Sequence, residues 1–450
     1  MPKAKAVYVC AKCDAQFPKW VGRCAECGNW GTVATAPVAV STPTAPRSPA
    51  GQVISFADVL GDNVQRLPSG MDEFDRVVGG GLTQGSVTLL TGEPGIGKST
   101  LVLQVADRIA RHTGKTVLYV SGEESAGQIK DRITRLGVTA AGISYLGATS
   151  AETITATITA LRPPLAIVDS VQTIRADRSA SEPGSVGQIR AATAVLMEAA
   201  KISATAVLLI GHITKSGDVA GPKTLEHLVD TVIGLESDGT QHYRLLRTVK
   251  NRFGATSELG VFEMKGGGLQ EVANPSAMFL AGRVTQQPGA VVAPVVIGTR
   301  VFLAEIQALV SWTRFGYPQR KAVGYDYNRL NLIATVLDQR AGVRLAKSDI
   351  HVKIAGGLRV NDPAADLAVA LAIISAQRKR AVDPHTAACG ELGLSGEIRP
   401  IARLDARLQE STKLGFTSVL CPRSGDSAQL PPAALPIDSV QTAVRELWGS

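Results

Sequence analysis

Aromatic residues are scarce, at 4% of 450 positions, so Ala, Val, Leu and Ile must fill whatever core this chain builds. No apolar run approaches the ~20 residues of a membrane-spanning helix, and no membrane partner is expected. The stretch Met1–Cys13 carries lysines but no apolar segment, so it does not read as a secretory signal. A cytoplasmic location is expected. Six cysteines in that setting suggest metal binding or chance more than a disulfide framework. Neither sign of charge dominates. Lys and Arg number 47 against 39 Asp and Glu, a balance of +8 that is compatible with a nucleic-acid partner without being diagnostic of one.

What the chain has is length and aliphatic content. With 45% hydrophobic and 19% charged residues, it can build a sizeable core, and global disorder is excluded. Residues 1–32 hold four of the six cysteines and two of the four tryptophans. Residues 33–55 read as an extended linker, because four prolines and a single charge fall between 33 and 50. From 56 to 280 the short apolar runs Val87–Thr91, Val117–Ser121, Leu165–Asp169 and Ala206–Gly211 alternate with helical patterns. Strands separated by helices imply parallel crossovers and therefore an α/β sheet. A second α/β domain is expected over 285–450, with strands at Ala290–Val296 and Gly356–Val360 and an Ala-rich helix over Ala364–Ala376.

The N-terminal cysteines are spaced Cys10-x2-Cys13, ten residues, Cys24-x2-Cys27. Two such turns brought together supply four thiolates in the tetrahedral arrangement that suits zinc. A module this small cannot build a sufficient core, so the metal would supply its folding energy and be structural. Lys3, Lys5, Lys12, Lys19 and Arg23 surround it against Asp14 and Glu26, with Trp20 and Trp30. Both a nucleic-acid-contacting finger and a protein-interaction knob fit that composition.

Gly92-Glu93-Pro94-Gly95-Ile96-Gly97-Lys98-Ser99, followed by Thr100, satisfies the phosphate-loop pattern between a strand and a helix. The glycines let backbone N–H groups converge on phosphates at a helix N-terminus. Lys98 would reach the β- and γ-phosphates of ATP, and Ser99 would ligate Mg²⁺. Asp169, at the end of the apolar run Leu165–Asp169, is the expected second acid on the Mg²⁺ side. Glu123, with Glu124 as second choice, follows the strand Val117–Ser121 and could polarise the attacking water. A helix N-terminal acid satisfying the dipole is the plain alternative.

This order of phosphate loop, strand-end glutamate, Ile-Val-Asp-Ser and Leu-Leu-Ile-Gly-His resembles the RecA-like ATPases. The resemblance implies that His212 senses the γ-phosphate and that loops 174–188 and 213–226 face a channel where relatives bind DNA. Gly79-Gly80-Gly81-Leu82, Ser121-Gly122-Glu123-Glu124-Ser125, and Lys250-Asn251-Arg252-Phe253-Gly254 narrow the resemblance to a branch of that family acting in bacterial DNA repair. It implies a DNA-dependent ATPase that assembles as a homo-hexameric ring. Such a ring would process single-stranded and branched DNA, with the RecA recombinase as partner. From the residues alone, Lys250 and Arg252 follow an alternating stretch, so they share one face of a strand end. There they could reach a neighbour's γ-phosphate or touch DNA.

The C-terminal zone resembles the proteolytic domain of Lon-type proteases, through Val360–Asp366 and Gly390–Ile401. A Ser–Lys dyad needs an oxygen nucleophile and an amine base. Here the serine position reads Ala364 and the lysine position reads Asp405, so no peptidase is expected. Arg300, Arg314, Arg320, Lys321, Arg329, Arg340, Arg344, Lys347 and Lys353 give this domain a basic bias that fits contact with DNA or ring formation. The rival functions are an ATP-regulated Lon-like peptidase and a RecA-like signalling ATPase that ignores DNA.

Overall fold

The structure is a computed structural model that describes residues 8–12, 15–17, 19–35, 65–179, 181–182, 184–212, 225–237, 243–314, 316–423 and 430–449. Two compact units divide the chain. The first comprises Met1–Gly234, Val249–Gly254 and Gly266–Gly268; the second comprises Leu235–Thr248, Ala255–Lys265 and Leu269–Ser450.

The first unit begins with a small ribbon in which β1 (Tyr8–Cys10) pairs antiparallel with β2 (Gln16–Phe17) and β3 (Val33–Thr35). Val33 packs with Cys10 and Cys24 in the ribbon's own small core. That burial is why the module runs past residue 32, where composition alone ends it. Next, β4 (Arg66–Leu67) and β5 (Leu82–Thr83) pair antiparallel around α1 (Asp72–Val78).

The main sheet follows a strict alternation: β6 (Val87–Gly92), α2 (Lys98–Thr113), β7 (Val117–Ser121), α3 (Ala126–Arg135), β8 (Ile143–Leu146), α4 (Ala151–Leu161), β9 (Leu165–Asp169), α5 (Val186–Ser203), β10 (Ala206–His212), then β11 (Thr231–Ser237). In space the strands run β8-β7-β9-β10-β6-β11, with the first five parallel. Every residue of β6, β7 and β9 is buried. Such continuous apolar strands belong in a parallel sheet covered by helices on both faces. Val87, Leu89, Val120, Val168 and Leu209 share one core with Ile154 and Ile158 of α4 and Ile189 and Leu196 of α5.

The second unit contains most of β12 (Tyr243–Asn251) and all of β13 (Leu259–Lys265), which pair antiparallel; β14 (Gly268–Glu271) follows. Leu245, Leu259 and Val261 lie in the same core as Phe279, Val291 and Phe302. This shared core groups the strands with the C-terminal region, whereas the sequence alone draws the line near residue 280. The rest of the unit is α6 (Pro275–Leu280), β15 (Ala290–Ile297), β16 (Arg300–Trp312), β17 (Arg320–Val323), α7 (Tyr327–Arg340), β18 (Ser348–Ile354), α8 (Asp366–Arg378), β19 (Thr386–Ala388), β20 (Glu391–Leu392), β21 (Ile398–Arg399), α9 (Leu404–Lys413), β22 (Ser418–Pro422), β23 (Ala434–Ile437) and α10 (Val440–Trp448). Its sheet runs β17-β18-β16-β15-β19-β22-β23 and mixes parallel with antiparallel pairs.

The expected strand Gly356–Val360 does not form. Gly356 and Gly357 have φ of 72° and 70°, the left-handed region, and make a 3-10 turn that ends β18. A Cβ on Gly356 would lie 2.5 Å from the Phe279 ring, so this turn demands glycine twice over. The helix expected over Ala364–Ala376 starts later as well: Ala364 sits in a short 3-10 turn, and α8 begins at Asp366.

The largest fully buried side chain in the second unit is charged. Arg407 of α9 is 2% exposed. It donates to the Pro294 carbonyl at 2.7 Å, to Asp362 Oδ2 at 2.6 Å and to the Ala402 carbonyl at 3.0 Å. Removing one partner of a buried pair strands the other charge. Arg407→Ala is therefore expected to cost about 3–5 kcal/mol of stability. Restoring neutrality with Asp362→Asn in the same chain should recover a large part, as read from denaturant melts of both variants. A loss under one kcal/mol in the single variant, roughly the value of a surface pair, would contradict the buried-pair reading.

Candidate nucleotide site and metal ribbon

The strand register builds the site. In the parallel pairs, Ser121 lies beside Asp169, Asp169 beside Ile210, and His212 beside Gly92. The C-terminal ends of β7, β9, β10 and β6 are thus level, which is where open α/β sheets bind ligands. The glycines Gly95 and Gly97 have φ of 74° and 111°, and α2 starts directly at Lys98. Lys98 is 4% exposed, and its ammonium donates to the carbonyls of Gly92 at 2.8 Å and Glu93 at 3.0 Å. Burial pulls its pKa down, while the nearby Asp169 and Glu123 carboxylates oppose that shift.

Ser99 Oγ donates to Asp169 Oδ2 at 2.8 Å, and Tyr119 Oη donates to the same oxygen at 2.6 Å. Burial, then the Asp169 charge, drives the Tyr119 pKa upward, so the phenol keeps its proton. Beside it, Ser170 Oγ donates to Glu123 Oε1 at 2.5 Å. Glu124 turns the other way, into a two-pronged ion pair with Arg132 at 2.6 and 2.7 Å. Ser125 and Gln128 form a reciprocal capping box at the start of α3, which fixes where the two glutamates leave the chain. A pocket of about 330 Å³ opens onto Gly95, Gly97, Lys98, Ser99, Thr100, Arg132, Arg135 and His212.

The structure thus gathers Gly92 to Thr100, Glu123, Asp169 and His212 at one strand-end crevice. Glu124 is engaged by Arg132. Lys250 and Arg252 are held elsewhere in the first unit: Lys250 donates to the carbonyls of Glu226 at 2.6 Å and Val229 at 2.9 Å, and Arg252 pairs with Asp230 at 3.1 Å. The expected channel loop 213–226 lies outside the described residues up to 224. Sequence reasoning missed Tyr119, Ser170, Arg132 and Arg135. One signal was available: a tyrosine inside a fully buried strand needs a partner for its hydroxyl. A larger hollow of about 570 Å³ near Lys115 and Arg162 holds none of this chemistry.

In the ribbon, the sulfurs of Cys10, Cys24 and Cys27 lie within 4.8 Å of one another. Cys10 Sγ and Cys27 Sγ are 3.7 Å apart, close to the edge of about 3.8 Å for a tetrahedron with metal–sulfur bonds of about 2.3 Å. Cys13 lies outside the described residues. The donor set fits a thiophilic metal. In contrast, Cys389 and Cys421 are buried in the second unit, and burial pushes the Cys421 thiol up to about 11.

The fold and site define a RecA-like ATPase core carrying an N-terminal metal ribbon and a Lon-like C-terminal domain. Family models agree piece by piece: an AAA domain matches residues 59–218, the ChlI subunit of Mg-chelatase matches 328–425, and a rubredoxin metal-binding domain matches 8–34. The DNA repair protein RadA of Halalkalibacterium halodurans is 42% identical over 447 residues, covering 98% of both chains. RadA of Synechocystis is 43% identical over 94% of this chain and 90% of its own. RadA of Streptococcus pyogenes is 44% identical over 94% of each. This chain belongs to the RadA family of DNA repair proteins. A KaiC-like protein of Pyrococcus horikoshii aligns over 46% of the chain at 20% identity with a TM-score of 0.38, too slight a likeness to argue from.

Two outcomes check this geometry. His212 Nδ1 is buried without a hydrogen-bond partner, and burial, then the Lys98 charge, lowers its pKa from 6.5. The unfolded chain therefore takes up that proton first as pH falls. Folded stability is full above pH 6.5 and is lost as pH drops through the lowered value. His212→Gln should flatten this part of a nucleotide-free melting profile against pH; an unchanged slope would refute it. Separately, Cys24→Ser should abolish stoichiometric metal in elemental analysis. The core's melting transition should stay in place if the proline-rich stretch of residues 37–49 acts as the insulating linker expected from the sequence. Matching losses in both transitions would contradict that independence.

Proposed function

We propose that this protein is a DNA-dependent ATPase that processes branched recombination intermediates alongside a strand-exchange recombinase of the RecA type, in the bacterial cytoplasm. The observation that carries the hydrolytic half is the junction at Asp169 Oδ2, where the phosphate-loop serine meets the strand-end carboxylate at 2.8 Å. That pair of oxygens is what Mg²⁺ bound to ATP requires, and the cation would draw charge from the phosphates as the bond to the leaving group lengthens. Lys98 compensates the β- and γ-phosphate charge. Glu123, oriented by Ser170, accepts the proton of the attacking water. His212 contacts the γ-phosphate and reports its loss. Zinc in the four-cysteine ribbon is structural.

The DNA half rests on the names of the relatives, all described as DNA repair proteins over nearly the full chain. The chain works as a homo-hexameric ring, in which Lys250 and Arg252 act on the neighbour's nucleotide. Arg252 is suited to this because its side chain is 51% exposed while anchored on Asp230. The Lon-like domain serves as a basic scaffold without peptidase activity. Ala364 offers no nucleophile, and Asp405 offers no amine.

The test mixes two inactive variants. Lys98→Ala alone should abolish turnover, and Arg252→Ala alone should keep nucleotide binding while losing DNA-stimulated hydrolysis. A finger acting across a boundary is worth about 10³–10⁵ in rate, so each loss is large. In a mixed ring some interfaces pair an intact phosphate loop with an intact arginine, and part of the activity returns. Absence of recovery in proven mixed rings would rule out action across the boundary. Normal hydrolysis by Lys98→Ala would overturn the site itself.

A further inference from the structure

Trp20 and Trp30 are 60% and 75% exposed, although they are the two largest apolar side chains of the ribbon. They are not loose. Trp20 Nε1 donates to the Val33 carbonyl at 2.9 Å, and Trp30 forms an antiparallel bridge with Arg23. Between the rings lies Gly22, whose carbonyl accepts the Gly31 amide at 2.9 Å. A Cβ at Gly22 would sit 3.5 Å from Trp20 Cη2 and 3.8 Å from Trp30 Cζ3. The rings therefore flank a floor that carries no side chain. The Arg23 guanidinium lies 5.9 Å from the Trp30 ring centroid and is fixed by a 2.9 Å bond from Nε to the Gly28 carbonyl. Lys12 and Lys19 are exposed on the same module, and Glu26 is its one carboxylate among the described residues.

We propose that Trp20, Gly22, Arg23 and Trp30 form a stacking platform for the bases of single-stranded nucleic acid; this deepens the DNA reading above and rests on it. Rigid, solvent-facing rings lose little conformational freedom when a flat partner lands on them. Every base presents a π face, so such a platform binds strands without reading sequence. The charge decides the occupant. Lys12 and Lys19, exposed on the same module, complement phosphates that follow the stacked bases, whereas lysine is depleted at the anchor sites of protein partners. The ribbon thus gives the chain a contact for displaced strand that is separate from its nucleotide pocket.

The experiment compares full-length, metal-loaded protein on an oligothymidylate and on an abasic sugar-phosphate strand of equal length. Both strands carry the same charge, so the difference in affinity isolates the bases. Wild type is expected to prefer the thymidylate. Trp30→Ala should weaken thymidylate binding about tenfold, within the range for losing one stacked base, and leave abasic binding unchanged. Gly22→Val, which fills the floor without a left-handed backbone demand, should do the same while retaining both tryptophans. Metal content of each variant is measured, and if Trp30→Ala sheds metal, Gly22→Val decides. Variants that keep the wild-type preference overturn the platform and leave the DNA reading intact. Loss of recombinase capture with DNA affinity untouched also overturns it, in favour of a protein dock. Wild type that binds neither strand overturns both the platform and the proposed function.

Discussion

Asp169 is a carboxylate 6% exposed, and two hydroxyls, from Ser99 and Tyr119, meet on one of its oxygens. A buried charge is tolerable only when hydrogen bonds or opposite charge replace lost water. Here the replacements come from two elements distant in sequence from each other and from the end of β9 that carries the carboxylate: the start of α2 and the middle of β7. The same need fixes Lys98 on two backbone carbonyls. Both groups are held ready, and the register of four parallel strands brings them to one level. A slip of one residue in β7 would turn Tyr119 to the opposite face of the sheet and leave Asp169 with a single hydroxyl. Fold and chemistry are linked through that register more than through any single catalytic side chain.

This explains what could be read in advance. The phosphate loop is local: its glycines, lysine and serine are adjacent in sequence, and the strand before and the helix after announce themselves by pattern. Asp169 is readable for the same reason, as the polar end of an apolar run. Tyr119 and Ser170 are not, because their role depends on which strand lies beside which. Arg132 acquires meaning only once α3 folds back to place it against Glu124 and at the rim of the pocket. The division of the chain is similarly non-local. Leu245, Leu259 and Val261 look like the tail of the ATPase sheet in sequence and join the C-terminal core in space. At Gly356 a run that reads as extended is interrupted because Phe279, far away in sequence, occupies the place of a side chain.

In the second unit, both carboxylates of the segment that resembles a protease site are held in structural contacts. Asp362 Oδ2 accepts from Arg407 and from the Val296 amide, and its Oδ1 accepts from the Ala364 amide. With both oxygens engaged, this carboxylate is not available to activate a nucleophile. Asp366 is likewise occupied by Tyr325 and Arg329, and burial raises its pKa. These contacts tie the turn carrying Ala364 to α9 and α7.

The placement of Arg252 raises an energetic question that the ring proposal must answer. Asp230 accepts from Arg252 at Oδ1 and from the Val87 amide at Oδ2, so one carboxylate joins this arginine to the first residue of β6. Lys250 grips the backbone of the same turn at Glu226 and Val229. If Arg252 swings away to a neighbour's phosphate, Asp230 keeps the amide but loses its cation. Asp230 is nearly buried and Arg252 half exposed, so most of the loss falls on the carboxylate. A phosphate carries more charge than a carboxylate and favours the same guanidinium geometry, so in the proposed ring a neighbour's nucleotide would offer Arg252 a replacement partner. The strand that would feel the change, β6, leads straight into the phosphate loop.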